Sequence, residues 1–322
     1  MAATSGKLAI SAHTRLMVVA PHPDDETIAT GLLVQQVRAA GGEVRIVLLT
    51  GGDNNPWPQR WLERRWRIRA GDRQRWARRR RQELHDALTR LGIPSSGLLA
   101  LGWHDLGVTD LLLQSTDSAV AAVLEAIDSF HPDMIALPTL QDRHPDHSAA
   151  HVLVRLALAR HPLPPRLLSY LVHGPEEASH FIEVIPAPGQ LSTKHAALQA
   201  HRSQVALSGK RLSRLADRPE RYAIPGDGSP AQVGLPWQPP RWLRPWLRLS
   251  VVDPAGVHHW AWADAPLRRT ANGAYQLSPP GHESAAPRFA KLSLGVASPW
   301  IFDHWGWCEL QSAEQSSANP VA

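Results

Sequence analysis

Residues 16–52 read LMVVAPHPDDETIATGLLVQQVRAAGGEVRIVLLTGG, and the fold class follows from them. Leu16 to Ala20 is a short apolar run closed by Pro21, the pattern of a strand buried on both faces. From Glu26 to Ala40, the residues Ile28, Leu32, Leu33 and Val37 recur at helical spacing, and Gly41-Gly42 stops the period. VRIVLL, residues 44–49, reads as a second buried strand, ended by Thr50-Gly51-Gly52. A strand, a helix and a strand in this order form a crossover unit, which implies a parallel sheet covered by helices.

The alternation continues outward. Helical patterns run from Arg78 to Leu91 and from Asp117 to Phe130, and DMIALP, residues 133–138, is a third buried strand. HSAAHVLVRLALAR, residues 147–160, is a helix, RLLSYLVHG, residues 166–174, a strand, and Ser192 to Leu215 one long helix. The sequence therefore predicts an α/β fold: a Rossmann-like, doubly wound, mostly parallel sheet with helices on both faces. The first turn lacks G-x-G-x-x-G, so a dinucleotide reading fails at its defining feature. Beyond Asp217 the pattern changes. Residues 217–240 are rich in Pro and Gly and read as a linker. Short alternating stretches then predict a small β-rich C-terminal appendage over 241–310, followed by a disordered tail, 311–322. Eight of the thirteen tryptophans lie in 237–307 and none in 104–236, which supports a unit separate from the α/β domain of residues 1–216.

No run of 18 apolar residues exists, so no transmembrane helix is expected. The N-terminus carries no secretory pattern, and Cys308 is the only cysteine, which fits a reducing, cytoplasmic setting. The net charge of +5 is local in origin. Residues 60–81 hold eleven arginines and two acids, Glu63 and Asp72, and the remainder of the chain is slightly acidic.

Ligands bind beyond the carboxyl ends of the strands in such sheets. Three of those ends carry polar clusters: HPDD at 22–25, TGGDNN at 50–55 and DRHPDH at 142–147. His22 and Asp25 are three apart, as are His144 and His147, and residues three apart share one face of a helix. Two such turns facing each other supply a His/Asp/His set for a divalent metal, zinc or a ferrous ion with similar ligands. Asp24, beside the ligand Asp25, is placed to act as a base toward metal-bound water. A plain reading stands alongside: Asp24 or Asp25 caps the helix, and HPDH is a polar turn.

PHPDDE followed by DRHPDH resembles the PIG-L/LmbE-like family of zinc-dependent N-acetylglucosaminyl deacetylases. RRRRQELHDALTRLGI resembles that family's R-x-x-E helix, with Arg80 and Glu83 matching, and KHAALQAHRSQ, residues 194–204, its late helix. The likeness covers about residues 14–205. It implies hydrolysis of an N-acetyl group on a sugar or glycoconjugate, with acetate and a free amine as products. It implies His22, Asp25 and His147 as metal ligands and Asp24 as general base. It implies His144 as the group that stabilises or protonates the intermediate, oriented by Asp146, and Arg80 as a pocket residue.

Other features admit more than one reading. His104-Asp105 is a surface turn or a wall of the substrate pocket. His173, Lys194 and His201 read as structural at least as well as functional. The arginine-rich segment reads as a solvated face, as an attractor for an anionic substrate, as a nucleic-acid surface, or as a peripheral membrane contact through Trp57, Trp61 and Trp66. A metal-dependent phosphodiesterase would use the same metal with the arginines on phosphate. A binding module with an inert acidic-histidine cluster is the non-enzymatic alternative, and the spare carboxylate of Asp24 argues against it.

Overall fold

The computed structural model describes residues 8–175, 181–225, 234–270, 273–277, 286–295 and 304–310. The chain opens with β1 (Arg15–Ala20), α1 (Asp25–Ala39), β2 (Glu43–Thr50), α2 (Pro56–Glu63), α3 (Ala70–Arg90) and β3 (Leu98–Trp103). Next come α4 (Val108–Gln114), α5 (Thr116–Phe130), β4 (Met134–Pro138), α6 (Pro145–Leu158) and β5 (Arg166–Tyr170). β6 (Ile182–Val184), α7 (Gln190–Ala200), α8 (Arg202–Ala216) and β7 (Glu220–Tyr222) follow. The described residues of the C-terminal part open with a short 3-10 turn (Arg244–Trp246) and supply β8 (Leu247–Asp253), β9 (Gly256–Ala261), β10 (Leu267–Arg269), β11 (Tyr275–Leu277), β12 (Arg288–Leu294) and β13 (Trp307–Leu310). Among the described residues no helix is long and apolar enough to cross a membrane.

These elements gather into two compact units. The first comprises Met1–Val108, Glu125–Thr139 and Pro165–Gly228; the second comprises Thr109–Leu124, Leu140–Pro164 and Ser229–Ala322.

The first unit is built on a five-stranded parallel sheet of order β3-β2-β1-β4-β5. The order reverses between β1 and β4, which makes their carboxyl ends the switch point where such sheets bind ligands. Leu16, Val18, Leu33, Ile46, Leu84 and Leu198 are fixed in its core with at most 2% exposure. Burying each such side chain contributes roughly 1.5–3 kcal/mol. A buried polar knot ties α1 to α7: Glu220 on β7 accepts from Leu32 N (2.7 Å), Leu33 N (3.0 Å), Lys194 Nζ (2.7 Å) and the Tyr222 hydroxyl (3.1 Å). Lys194 passes so close to Gly31 that a Cβ there would meet its Cγ at 3.0 Å.

Three local expectations change. The long helix expected from Ser192 to Leu215 is two helices, broken at His201, whose ψ of 55° leaves the helical region. The break turns its ring into the core, where it reaches Glu26. LLALGW, residues 98–103, is an edge strand that shows no clean apolar alternation, because its residues are mostly half-buried. The helix expected from Arg78 begins at Ala70, where the Asp72 carboxylate takes the Arg69 amide at 3.0 Å. That first turn is too polar to show a helical period.

In the second unit the β-rich C-terminal part forms an antiparallel sheet, β13-β12-β8-β9, and a β10-β11 pair. Leu247, Leu249, Val251, Trp262, Ala290 and Leu292 fill its core. Helix α6 packs on this sheet: Arg155 pairs with both carboxylate oxygens of Glu309 (2.6 and 3.2 Å) and lies over the Phe289 ring, which His151 meets edge-on. Burial pushes the Cys308 thiol on β13 up to about 12, which disfavours the thiolate. The tail 311–322, residues 299–303 of the Trp-rich stretch and residues 226–233 of the expected linker lie outside the described residues.

Candidate functional site

The first half-site forms where β1, β2 and β3 end. Pro21 stops β1, and the chain turns so that α1 starts at Asp25. One oxygen of Asp25 accepts the His22 amide (2.9 Å) and lies 3.3 Å from His22 Nδ1. The other ring nitrogen, Nε2, lies 3.2 Å from Asp105 Oδ1. Asp105 is buried in the turn after β3 and is held from β2's end, with Asn54 N donating to Oδ2 (2.7 Å) and Asn54 Nδ2 to its carbonyl (3.1 Å). Burial opposes ionisation of Asp105, but His22 and the Asn54 amide outweigh it and hold its carboxyl below the usual range. His104 stands exposed in the same turn, which closes with Gly107 N on the His104 carbonyl (3.0 Å).

Asp24 has φ 123°, a backbone conformation that side-chain-bearing residues rarely adopt. Four contacts hold it there. Its amide donates to Glu26 Oε2 (2.9 Å), its carbonyl accepts from Thr27 N (3.1 Å) and Ile28 N (2.9 Å), and Arg80 Nη2 reaches its Oδ2 at 3.4 Å. The same Arg80 donates to the carbonyls of Pro23 (2.6 Å) and Gly52 (2.5 Å). Gly52, at φ 61°, has to be glycine, since a Cβ would collide with the guanidinium. Burial pushes the Asp24 carboxyl up to about 6, with Arg80 opposing the shift. Behind it, Glu26 Oε1 accepts from Thr27 Oγ1 (2.6 Å) and meets His201 Nε2 (3.0 Å). Burial alone would lower the His201 pKa, and the charge of Glu26 reverses that. Glu83, one turn beyond Arg80, caps α8 by accepting the Ser203 amide (3.0 Å).

The second half-site is the turn into α6, which begins at Asp142, four residues after β4 ends. Asp142 organises it: Oδ1 accepts the His144 amide (2.9 Å), and Oδ2 lies 3.1 Å from His147 Nδ1. A carboxylate at Nδ1 draws the proton there, which leaves the lone pair of His147 on Nε2, the form a metal ligand needs. His144 has the opposite tautomer. As helix cap it accepts the Asp146 amide at Nδ1 (3.3 Å), so its proton sits on Nε2. Two histidines three residues apart therefore present one acceptor and one donor. Asp146 is fully buried in this first turn, and it is its amide that meets His144.

Both half-sites carry side chains of the type that could hold a metal ion: His22, Asp25 and Asp105 in the first, and His144, Asp146 and His147 in the second. The donor set fits a cation. Three carboxylates, Asp24, Asp25 and Asp105, crowd His22 and Arg80 in a desolvated setting, where further positive charge is favourable. Sequence reasoning assigned no role to Asp142 or Glu26, and left His201 open between a structural and a functional reading. Asp142 had a usable signal, an acid five residues before His147 in the same motif. Glu26 had a weaker one as the third acid of PHPDDE. Nothing in the sequence pairs His201 with it. Of the remaining candidates, Lys194 is spent on Glu220, and His173 accepts from or faces Arg211 Nη2 at 3.2 Å.

Residues 17–158 match the PIG-L family, described as GlcNAc-PI de-N-acetylase. The 1D-myo-inositol 2-acetamido-2-deoxy-alpha-D-glucopyranoside deacetylase of Mycobacteroides abscessus is 30% identical over 159 residues, 45% of this chain and 56% of that protein. The chain spans about half the length of the curated relatives it matches. Among solved structures, a triple mutant of a deacetylase of the teicoplanin biosynthetic pathway aligns with TM-score 0.50 and 20% identity, over 63% of this chain and 88% of that one. The 4-carboxy-2-hydroxymuconate hydratase of Pseudomonas putida KT2440 aligns with TM-score 0.51 and 17% identity, over 63% and 82%. These likenesses show the fold, and because a hydratase shares it, chemistry has to be argued from the site. Both motif clusters, His22–Asp25 and Asp142–His147, fall inside the stretch that matches the PIG-L family, so it is the motif-bearing part of the chain that resembles that family.

Proposed function

We propose that the protein is a metal-dependent hydrolase that removes the N-acetyl group from an N-acetylglucosamine-type sugar or glycoconjugate. The observation that carries this reading is Asp24, a carboxylate held at an unfavourable φ with its pKa near 6, directly beside His22 and Asp25. A base poised close to neutral pH is what water activation calls for.

On this reading His22, Asp25 and His147 hold one divalent ion, zinc by preference. Such an ion supplies a Lewis acid to the acyl oxygen and lowers the pKa of water from about 15.7 to about 7. Asp24 takes the proton of the attacking water and returns it to the amine nitrogen as the C–N bond breaks, an effect typically worth about 10²–10⁴-fold. His144, with its proton on Nε2, donates toward the acyl oxygen as negative charge develops; losing one such donor typically costs about 10²–10³-fold. Asp146 keeps His144 in that tautomer through its amide. Arg80 holds Asp24 in place, and Asp105 orients His22. His104, at the exposed rim of the turn, is placed to meet the substrate. A cytoplasmic location fits a chain with a single cysteine.

The test is acetate release by the zinc-loaded protein from a panel of N-acetylglucosamine conjugates, beside a phosphodiester such as bis-p-nitrophenyl phosphate. Acetate release abolished by Asp24→Asn supports the reading. Turnover of the phosphodiester alone would make the protein a phosphodiesterase.

A further inference from the structure

The segment between the two half-site residues Asn54 and Arg80 is a hairpin made of α2, which packs on α8, a turn, and the first half of α3. Its base is rigid. Trp76 is buried, and the buried Gln59 donates to the Asp72 carbonyl at 2.8 Å, tying one helix to the other. Its tip is of another character. Trp57, Trp61 and Trp66 are 60%, 67% and 86% exposed. Trp57 and Trp61 are one turn apart on α2, and Arg64, at φ 51°, ends that helix and turns the chain outward toward Trp66. Three exposed indoles within ten residues are far more apolar surface than a soluble face needs.

Charge accompanies them. The acids of the segment are spent internally: Arg75 pairs with Glu63 and Asp72, and Arg65 with Asp72. Exposed Arg64, Arg67, Arg73, Arg78 and Arg81 show no ion pair among the described residues. The tip is thus aromatic and cationic at once. Indoles settle at the boundary between water and lipid tails, and arginines settle on phosphates. Two other occupants fit less well. Steering of a small anion has no use for indoles. Single-stranded nucleic acid is held on aromatic platforms inside a charged groove, and an indole 86% exposed has no groove wall beside it.

We infer that the α2–α3 hairpin docks on the surface of an anionic phospholipid bilayer, with Trp57, Trp61 and Trp66 in the headgroup layer and the unpaired arginines on lipid phosphates. The inference stands apart from the deacetylase reading, since it concerns adsorption and needs no turnover. Its bearing on the site is topological: both roots of the hairpin, Asn54 and Arg80, touch first half-site residues.

The experiment is co-sedimentation of the full chain with vesicles of phosphatidylcholine alone, and of phosphatidylcholine with phosphatidylglycerol at about three to one. The wild type is expected on the anionic vesicles, released by raised salt, with a blue shift of tryptophan emission. Trp57→Ser/Trp61→Ser/Trp66→Ser and Arg64→Gln/Arg67→Gln/Arg73→Gln/Arg78→Gln should each weaken adsorption by about tenfold or more. All seven side chains are exposed, and circular dichroism should confirm that both variants fold. Absence of wild-type binding, equal binding to neutral vesicles, or full binding by either variant overturns the inference. So does salt-sensitive binding to a single-stranded oligonucleotide, lost in the variants, with no vesicle adsorption.

Discussion

Glu26 Oε1 and His201 Nε2 lie 3.0 Å apart in a setting where neither side chain is more than 1% exposed. The other oxygen of Glu26 holds the amide of Asp24, so His201 stands two links behind the proposed base. His201→Ala should therefore lower kcat about tenfold while KM and bound metal change little, because a misaligned base is lost only in the transition state. His201→Gln, whose amide can donate to Glu26, should recover part of the loss. Metal analysis beside steady-state kinetics checks this; loss of metal in His201→Ala would show a structural role instead.

The Asp24 carboxyl is expected to weaken the metal-free protein. Its pKa rises from 3.8 unfolded to about 6 folded, so the folded state binds more protons between those values and stability falls as pH rises through them. Asp24→Asn mimics the neutral form and should raise the Tm of the metal-free protein above pH 6, with the difference vanishing below about pH 4. Thermal melts across that range, with chelator present, decide it. A variant less stable at pH 8 would mean that the Arg80 contact outweighs burial.

Asp142 is expected to act through His147. Asp142→Asn removes the charge that fixes the proton on Nδ1 and should weaken metal affinity by about 10–100-fold, with the secondary structure intact. Competition against a chelator measures it, and unchanged affinity would detach Asp142 from the metal. His147→Ala should abolish tight binding altogether.

Deleting residues 241–322 is expected to leave the five-stranded sheet folded, as a domain boundary near the Pro/Gly-rich stretch requires. Helix α6 would lose Phe289 and Glu309, its partners on the C-terminal sheet. Metal affinity should then fall while the α/β circular dichroism signal persists. Collapse of that signal would make the β-rich part integral to the α/β fold.

The parallel sheet was legible because β1, β2 and β4 are continuous apolar runs ended by Pro or Gly, and β5 a shorter one. The edge strand β3 was not, since half-burial blurs the pattern that identifies strands. The candidate site divides in the same way. His22, Asp25, His144 and His147 declare themselves by spacing within motifs. Glu26–His201 joins residues 175 apart and Arg80–Gly52 joins residues 28 apart. Such pairs depend on how α3, α7 and α8 pack, which local periodicity does not encode.

Gly52 makes that dependence concrete. Its missing side chain is an aperture through which the guanidinium of Arg80 reaches Pro23 and Asp24. The charge on the proposed base is thus governed from a position that has no chemistry of its own. Closing the aperture with Gly52→Ala should disturb the acidity of Asp24 as much as removing the arginine itself, although alanine is the smallest change available. Variation at this silent position would retune the pH at which the site works while leaving every reactive group in place.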